Sequence, residues 1–416
     1  MGLAESAGLG RLADEHVRLP TVKGANAGLK VTSLVAGMAA GADSIDDMAL
    51  LRHGGMGRVF AHAYAPSTLG SFLRTFTFGH VRQLDAVASR FLLALAGLTR
   101  LLGIGGEAGP GSGEYALLDV DDTIIEVHGH GKQGAGFGHT RVRGLNALLA
   151  TLTTTASAPM IVAQRLRKGA CNSSRGAKRL VGDAVKTARR LLGEHRPILV
   201  RMDSAYFGRG PVHAALIGGA AVSVTVRMNA QIKAAIAAIA EDAWTTIEYT
   251  DAVFDEATGR WISRAEGRRD RVHRVRLRQE VRARSRPSGG ASDPGLQRRE
   301  ERAAGQGTLF DVWRFHADLK NAALAHLPSG VFAANAAWLV LAVMAFNLTR
   351  AAGTLGSPEL ARATTSTIRR KLINVPARVA TSARRGTLHL PQAWPWQTAW
   401  TQMFDRVSDP PCALAA

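Results

Sequence analysis

Two apolar runs end in aspartate. Tyr115-Ala-Leu-Leu-Asp-Val-Asp-Asp-Thr closes on Asp119, Asp121 and Asp122, and Arg196-Pro-Ile-Leu-Val-Arg-Met-Asp-Ser-Ala-Tyr-Phe closes on Asp203. Short β-branched and leucine-rich runs of this kind predict buried strands. Two acidic strand ends form the pairing from which a magnesium site is built, because a small hard cation takes carboxylate oxygens. Along the first strand, positions 117, 119, 121 and 123 share one face and 118, 120 and 122 the other. Asp121 is the first candidate ligand, Asp119 the second, and Asp122 a turn or side-chain contact.

Around these runs the spacing predicts strand 115–127, a Gly-rich turn 129–138, strands 143–154 and 159–167, helix 174–194, strand 197–203, helix 209–218, strand 220–227 and helix 229–241. Helix 174–194 has the clearest pattern: Ala177, Leu180, Val181, Ala184, Val185, Ala188 and Leu191 hold one face, with Ser173 or Ser174 as the expected cap. Three strands followed by alternating helix and strand predict a mixed sheet covered by helices on both faces.

Upstream, residues 1–112 read as a helical domain with apolar spacing in 29–40, 45–51 and 81–101, with N-caps expected at Asp43 or Ser44 and at Ser67. Arg52, Arg58, Arg74 and Arg82 are interleaved there and form a candidate phosphate-gripping set. The glycine-rich stretch 103–113 marks the boundary. It is no phosphate loop, since no Gly-Lys-Ser/Thr follows and the next element is a strand. Downstream, 113–241 forms the first part of the α/β core, 242–312 a β-rich insertion with an irregular Arg/Ser/Gly/Pro segment at 282–305, and 313–416 the remainder. In that last part, helices are expected over 318–350 and 366–385, with a Trp-rich end (389–404) packing back on the body.

Lys and Arg number 52 against 33 Asp and Glu, a formal charge of +19. A field of that sign attracts phosphate backbones, so nucleic acid is the expected partner and an acidic cluster inside such a chain points to chemistry on a polyanion. Cys171 and Cys412 are the only cysteines, which excludes a disulfide framework and a thiolate zinc site and fits the cytoplasm. His128 and His130 lack a third ligand for zinc, and no Gly-x-Ser-x-Gly elbow supports acyl transfer. No charged region followed by an apolar core marks a signal peptide at the N-terminus. Val331–Phe346, interrupted by Asn335, reads as a core helix and not as a membrane span.

The segments Leu34–Ala61 with Gly41–Asp47, Ala65–Arg74, Gly79–Leu84, Leu118–Thr123, Val200–Tyr206, Leu324–Arg350 and Leu388–Trp396 resemble the DDE transposases of the insertion sequence 4 superfamily, most closely the insertion-sequence-1380 group. The resemblance implies an RNase H-like core with a helical N-terminal region and a β-rich insertion. It further implies Mg²⁺ or Mn²⁺ held by Asp121 and Asp203, binding to the terminal inverted repeats of a transposon and to target DNA, a homodimer on paired ends, and a place beside the nucleoid.

The third carboxylate departs from that pattern. In the family a Glu precedes a Lys by seven residues on a helix, so Lys320 places it at Trp313, with Leu309 and Gln306 at the upstream Arg and Tyr positions. Only the lysine survives. Residues 305–317 resemble the end of the family's insertion, and 318–321 the segment just after the catalytic Glu, so the stretch between them has been lost. Asp318 is the one nearby substitute and lies five residues from the expected position. The sequence therefore supports two outcomes: a metal-dependent DNA-cleaving and strand-transferring transposase impaired by loss of its third acid, or a catalytically inactive relic that binds DNA.

Overall fold

The computed structural model describes residues 1–60, 63–102, 115–138, 140–154, 158–240, 316–382 and 385–408, together with four short strands between 245 and 267. Its centre is a mixed sheet built from β1 (Ala116–Glu126), β2 (Gly136–Phe137), β3 (Arg143–Thr153), β4 (Met160–Lys168), β5 (Ile198–Met202) and β6 (Ala221–Val224). β4 pairs with β3, β3 with β1, β1 with β5 and β5 with β6. The first two of those pairings are antiparallel and the last two parallel. The parallel steps are bridged by α6 (Ala177–Leu192) and α7 (Arg209–Ile217), as a same-direction crossover requires. This is the mixed sheet flanked by helices that the chain order predicts.

Composition explains the layering. In β3 every residue from Gly144 to Leu152 is buried, the mark of a central strand covered on both faces. α6 buries Ala177, Leu180, Val181, Ala184, Val185 and Ala188, the predicted stripe. It has no serine cap, however: the chain enters through Gly176, whose φ of 81° gives a left-handed turn that directs the helix and favours glycine. Beyond β6 the expected helix 229–241 is the shorter α8 (Ala230–Ala237), capped by the Asn229 side chain, which accepts from the Ile232 amide at 2.9 Å.

In the N-terminal region lie α1 (Gly2–Ser6), α2 (Leu9–His16), α3 (Ala27–Ala40), α4 (Pro66–Arg74) and α5 (Phe78–Leu98). Segment 45–51 is a 3₁₀ stretch, Asp46–Arg52, preceded by Ser44, whose hydroxyl bonds the Asp47 carboxylate at 2.6 Å. α4 starts at Pro66 after Ala65 and not after Ser67, because proline suits a first helical position where no amide partner is needed.

The expected helix 318–350 is two pieces. Residues 316–320 are helical, and the chain re-enters helix only at α9 (Phe332–Gly356). Pro328 and Gly330 break the run. Asn335 then locks the new start, accepting from the Ser329 amide at 2.9 Å and donating to the Ser329 carbonyl at 2.7 Å.

α9 has the length and composition of a membrane span, yet 89% of its most apolar window is buried inside the protein. Its Asn347 accepts from the Ile161 amide at 3.0 Å and donates to the Ile161 carbonyl at 2.8 Å. Both backbone groups belong to edge strand β4, so one side chain caps what would be an open edge. A single contiguous apolar core runs from Leu3 through the sheet to Leu355, so the helical N-terminal region, the sheet and α9 are packed as one body.

After α10 (Pro358–Arg362) and α11 (Thr365–Ile368), the second half of the expected helix 366–385 is a β-hairpin, β11 (Arg378–Ser382) with β12 (Arg385–His389). Pro376 and Gly386 flank a run with Val and Thr whose propensity suits strand better than helix. α12 (Gln397–Ser408) closes the described chain, with Trp400 and Met403 packed on Leu360, Ile368 and Leu372 as expected for the Trp-rich end. Of the β-rich insertion, β7 (Thr245–Thr246) pairs antiparallel with β10 (Glu266–Gly267), and β8 (Val253–Asp255) with β9 (Arg260–Ile262). The irregular segment 282–305 lies outside the described residues.

Candidate active site

Register positions the acids. β1 and β5 run parallel with Asp119 opposite Arg201 and Val120 opposite Met202. The ladder stops there, one residue before Asp121 and Asp203, and Asp203 lies close enough for its charge to act on Asp121. Asp203 then turns the chain. Its carboxylate accepts from the Ala205 amide at 2.9 Å and caps the short 3₁₀ turn Ser204–Tyr206.

The four aspartates are treated differently by their surroundings. Asp119 is buried and gripped bidentately by Arg201, 2.5 Å from Nε and 2.8 Å from Nη2. Asp122 is held by Arg167, whose other donors go to Asn146 Oδ1 and to the carbonyls of Ser173 and Arg175. Each of these carboxylates carries its own guanidinium, as buried charges must. Among the described residues neither Asp121 nor Asp203 has a Lys or Arg within ion-pair distance. Asp119, the second candidate ligand, is thus engaged in an ion pair, while Asp121 lies in the middle of β1 and not at the strand end the sequence suggests, because β1 continues to Glu126 against β3, and Asp203 follows the last residue of β5.

The cost of that arrangement falls on Asp121. Its carboxyl is pushed up to about 7, first by withdrawal from water and then by the charges of Asp122, Asp203 and Asp119, against a pull downward from the Asp122 amide. That amide donates to Asp121 Oδ1 at 2.8 Å. Tyr206, buried under the turn, has its hydroxyl held protonated by burial first and by Asp122 and Asp121 next.

The helical residues 316–320 supply the other wall. His316 Nδ1 lies 3.7 Å from Asp121 Oδ2. Burial first, and Lys320 second, lower the imidazole to about 4, so at neutral pH it brings no charge to Asp121. At 100° per residue, Lys320 shares the face of His316, whereas Asp318 points about 200° round from it. Asp318 is buried and occupied elsewhere: its oxygens accept from the Thr365 amide at 2.8 and 3.0 Å and from the Thr365 hydroxyl at 2.8 Å. Sequence reasoning misses His316; its one signal is a position four residues before Lys320, on the same helical face. Trp313 lies outside the described residues.

Among the described residues no three His, Cys, Asp or Glu side chains converge closely enough to hold a metal ion. What is present is a two-carboxylate donor set. Its oxygens suit a small divalent cation, which would offset the burial of the Asp121 charge and the smaller repulsion from its neighbouring carboxylates.

The four candidate phosphate contacts fare unequally. Arg52, Arg58 and Arg74 are exposed; Arg58 donates to the Val379 carbonyl at 2.9 Å and Arg74 to the Ser71 hydroxyl at 3.2 Å. Arg82 is neutralised by Asp85 at 2.8 Å and by Asp183 at 2.9 Å. That residue fastens α5 to α6.

The transposase DDE domain family matches residues 112–291, and the transposase DDE domain group 1 family matches residues 316–412. No curated protein matches the chain. Among solved structures, a piggyBac transposase synaptic complex with hairpin DNA aligns over 93% of this chain and 77% of its own, at a TM-score of 0.34 and 11% identity.

Proposed function

With its two matched stretches both transposase DDE domains, the chain is a DDE transposase by family, and from that premise we propose that it binds the terminal inverted repeats of an insertion sequence. Asp121 and Asp203 are the core of its site for metal-dependent cleavage and strand transfer, a site that has lost its third acid. The reading extends to the insertion-sequence-1380 group of the insertion sequence 4 superfamily, to a homodimer on paired transposon ends, and to a cytoplasmic, nucleoid-associated location. What supports it is the parallel pairing of β1 with β5, which ends one residue before Asp121 and Asp203 and leaves the charge of Asp203 acting on Asp121, with Asp119 and Asp122 each neutralised by an arginine.

DDE transposases normally use divalent metal, and here Asp121 and Asp203 would hold Mg²⁺ or Mn²⁺. When bound, the cation supplies a lowered pKa for the attacking hydroxyl and charge stabilisation for the leaving oxygen. The chain's own residues do the rest. β1 and β5 fix the two carboxylates on a rigid sheet, and the Ala205 amide orients Asp203. Arg201 and Arg167 keep Asp119 and Asp122 out of the donor set. Lys320, on the exposed face of its helical segment, is a cation for a phosphate at the same edge.

A second reading is favoured by a particular observation: the helical segment expected to bring a third carboxylate brings neutral His316 and Lys320, and Asp318 is tied to Thr365. On that reading the protein occupies DNA ends without cutting them. Mn²⁺ titration followed by electron paramagnetic resonance, with Asp203→Ala and Asp121→Asn as comparisons, tests the donor pair; equal binding by all three proteins would remove it. Incubation with Mg²⁺ or Mn²⁺ and the element's own ends separates the two readings. Strand cleavage would exclude the inert one, and its absence is the expected result.

A further inference from the structure

The turns at 46–58 and the hairpin β11–β12 are far apart in sequence and joined in space. Arg58 Nη1 donates to the Val379 carbonyl at 2.9 Å across 321 positions, and a Cβ at Gly55 would sit 3.3 Å from Val379 Cγ2. Val379 therefore faces the body. Register then places Arg378, Thr387 and His389 together on the opposite side of the ribbon, since Arg378 pairs with His389 and Ala380 with Thr387 and side chains alternate along a strand. All three are exposed. A lone two-stranded ribbon is marginal in water, and this one is fastened to the body through Val379, with its outer face left to solvent.

Charge indicates what that face meets. Between Glu359 and Asp405 the sequence has no acidic residue, while Arg369, Arg370, Lys371 and Arg378 fall on or just before the hairpin. Arg52 and Arg58 add their exposed cations from the adjoining turns. Asp43, Asp46 and Asp47 line one depression together with His53, Arg369 and Asn374; Asp43 is paired with His326 at 3.2 Å and Asp47 bonded to Ser44.

Resting on the transposase reading, we propose that the outer face of this hairpin, with Arg52 and Arg58 of the adjoining turns, is a contact surface for double-stranded DNA. A two-stranded ribbon fits the major groove, and arginines that gain phosphates release counterions and make binding depend steeply on salt.

The test is fluorescence anisotropy of the full chain with a labelled duplex carrying the element's end and with an unrelated duplex, over a range of salt. Arg370→Ala/Arg378→Ala leaves the anchor at Arg58 intact; Arg52→Ala/Arg58→Ala probes the turns; Lys178→Ala/Lys186→Ala on the exposed face of α6 is the control, and circular dichroism checks folding. Removing one phosphate-binding arginine should flatten the salt slope by about 1, and the double variants should bind roughly tenfold more weakly, on both duplexes, with the control unchanged. Normal wild-type binding with unaltered slopes in both arginine variants would overturn the surface and leave the transposase reading standing. No duplex binding by the wild type would overturn both.

Discussion

Replacing Asp121 with asparagine should stabilise this protein at neutral pH, and the gain should vanish in acid. In the folded state the Asp121 carboxyl is pushed up from 3.8 to about 7, a shift of about 3 units, or about 4 kcal/mol at 1.36 kcal/mol per unit. The side chain is 34% exposed, so solvent screening cuts this to about 2 kcal/mol. The sign follows from proton counting. Between pH 4 and 7 the folded protein keeps a proton on Asp121 that the unfolded chain has released, so stability falls as pH rises through that window.

Asparagine removes the titration. Guanidinium unfolding of wild type and Asp121→Asn, followed by tryptophan fluorescence, should show the variant more stable by about 2 kcal/mol at pH 7.5 and equal to wild type near pH 4. Saturating Mn²⁺ should stabilise wild type by about 2.7 kcal/mol at a hundredfold excess over Kd and leave the variant unmoved. A constant difference between the two proteins across pH, or a variant less stable at pH 7.5, would show that Asp121 does not bear the cost of burial and repulsion assigned to it.

Arg167→Ala should be among the most damaging substitutions, at about 3–5 kcal/mol, because it strands the Asp122 carboxylate and frees Asn146 and two carbonyls in the interior; a denaturation midpoint close to wild type would refute this. Arg82→Ala should steepen the loss of stability above pH 4: Asp85 is already pushed up to about 6 by burial, and Arg82 is the main charge opposing that. Unfolding curves at pH 4.5 and 7.5 measure the difference, and parallel wild-type and variant slopes would count against it. Asp318→Ala should cost about 2–3 kcal/mol by releasing the Thr365 amide and hydroxyl while leaving Mn²⁺ affinity unchanged; abolished metal binding in a folded variant would return Asp318 to the donor set.

Much of the core is legible from local pattern. The alternation in 115–123 and the apolar run before Asp203 identify two strands carrying aspartates, although the first continues past them to Glu126. The Ala/Leu/Val stripe of 177–191 marks a helix over the sheet, and the chain order implies a mixed sheet. These features depend on neighbours within a few residues, where backbone geometry fixes side-chain direction. Read the same way, residues 366–385 suggest helix because a basic stretch resembles an exposed helical face; the anchor that holds a ribbon there comes from Arg58, which no local window contains. The split of 318–350 is visible in Pro328 and Gly330, but the Asn335 lock that seals it is not.

By itself, then, the chain's order of residues determined the strands, most of the helices, the basic balance and the two aspartates carried by neighbouring strands. Tertiary structure decided which aspartates are already spoken for. Asp119 and Asp122 differ from Asp121 only through Arg201 and Arg167, partners 82 and 45 positions away, brought there by parallel register in one case and by the neighbouring strands in the other. Charge pairing acts through space over a few ångströms, and sequence distance carries no information about it until the sheet is assembled.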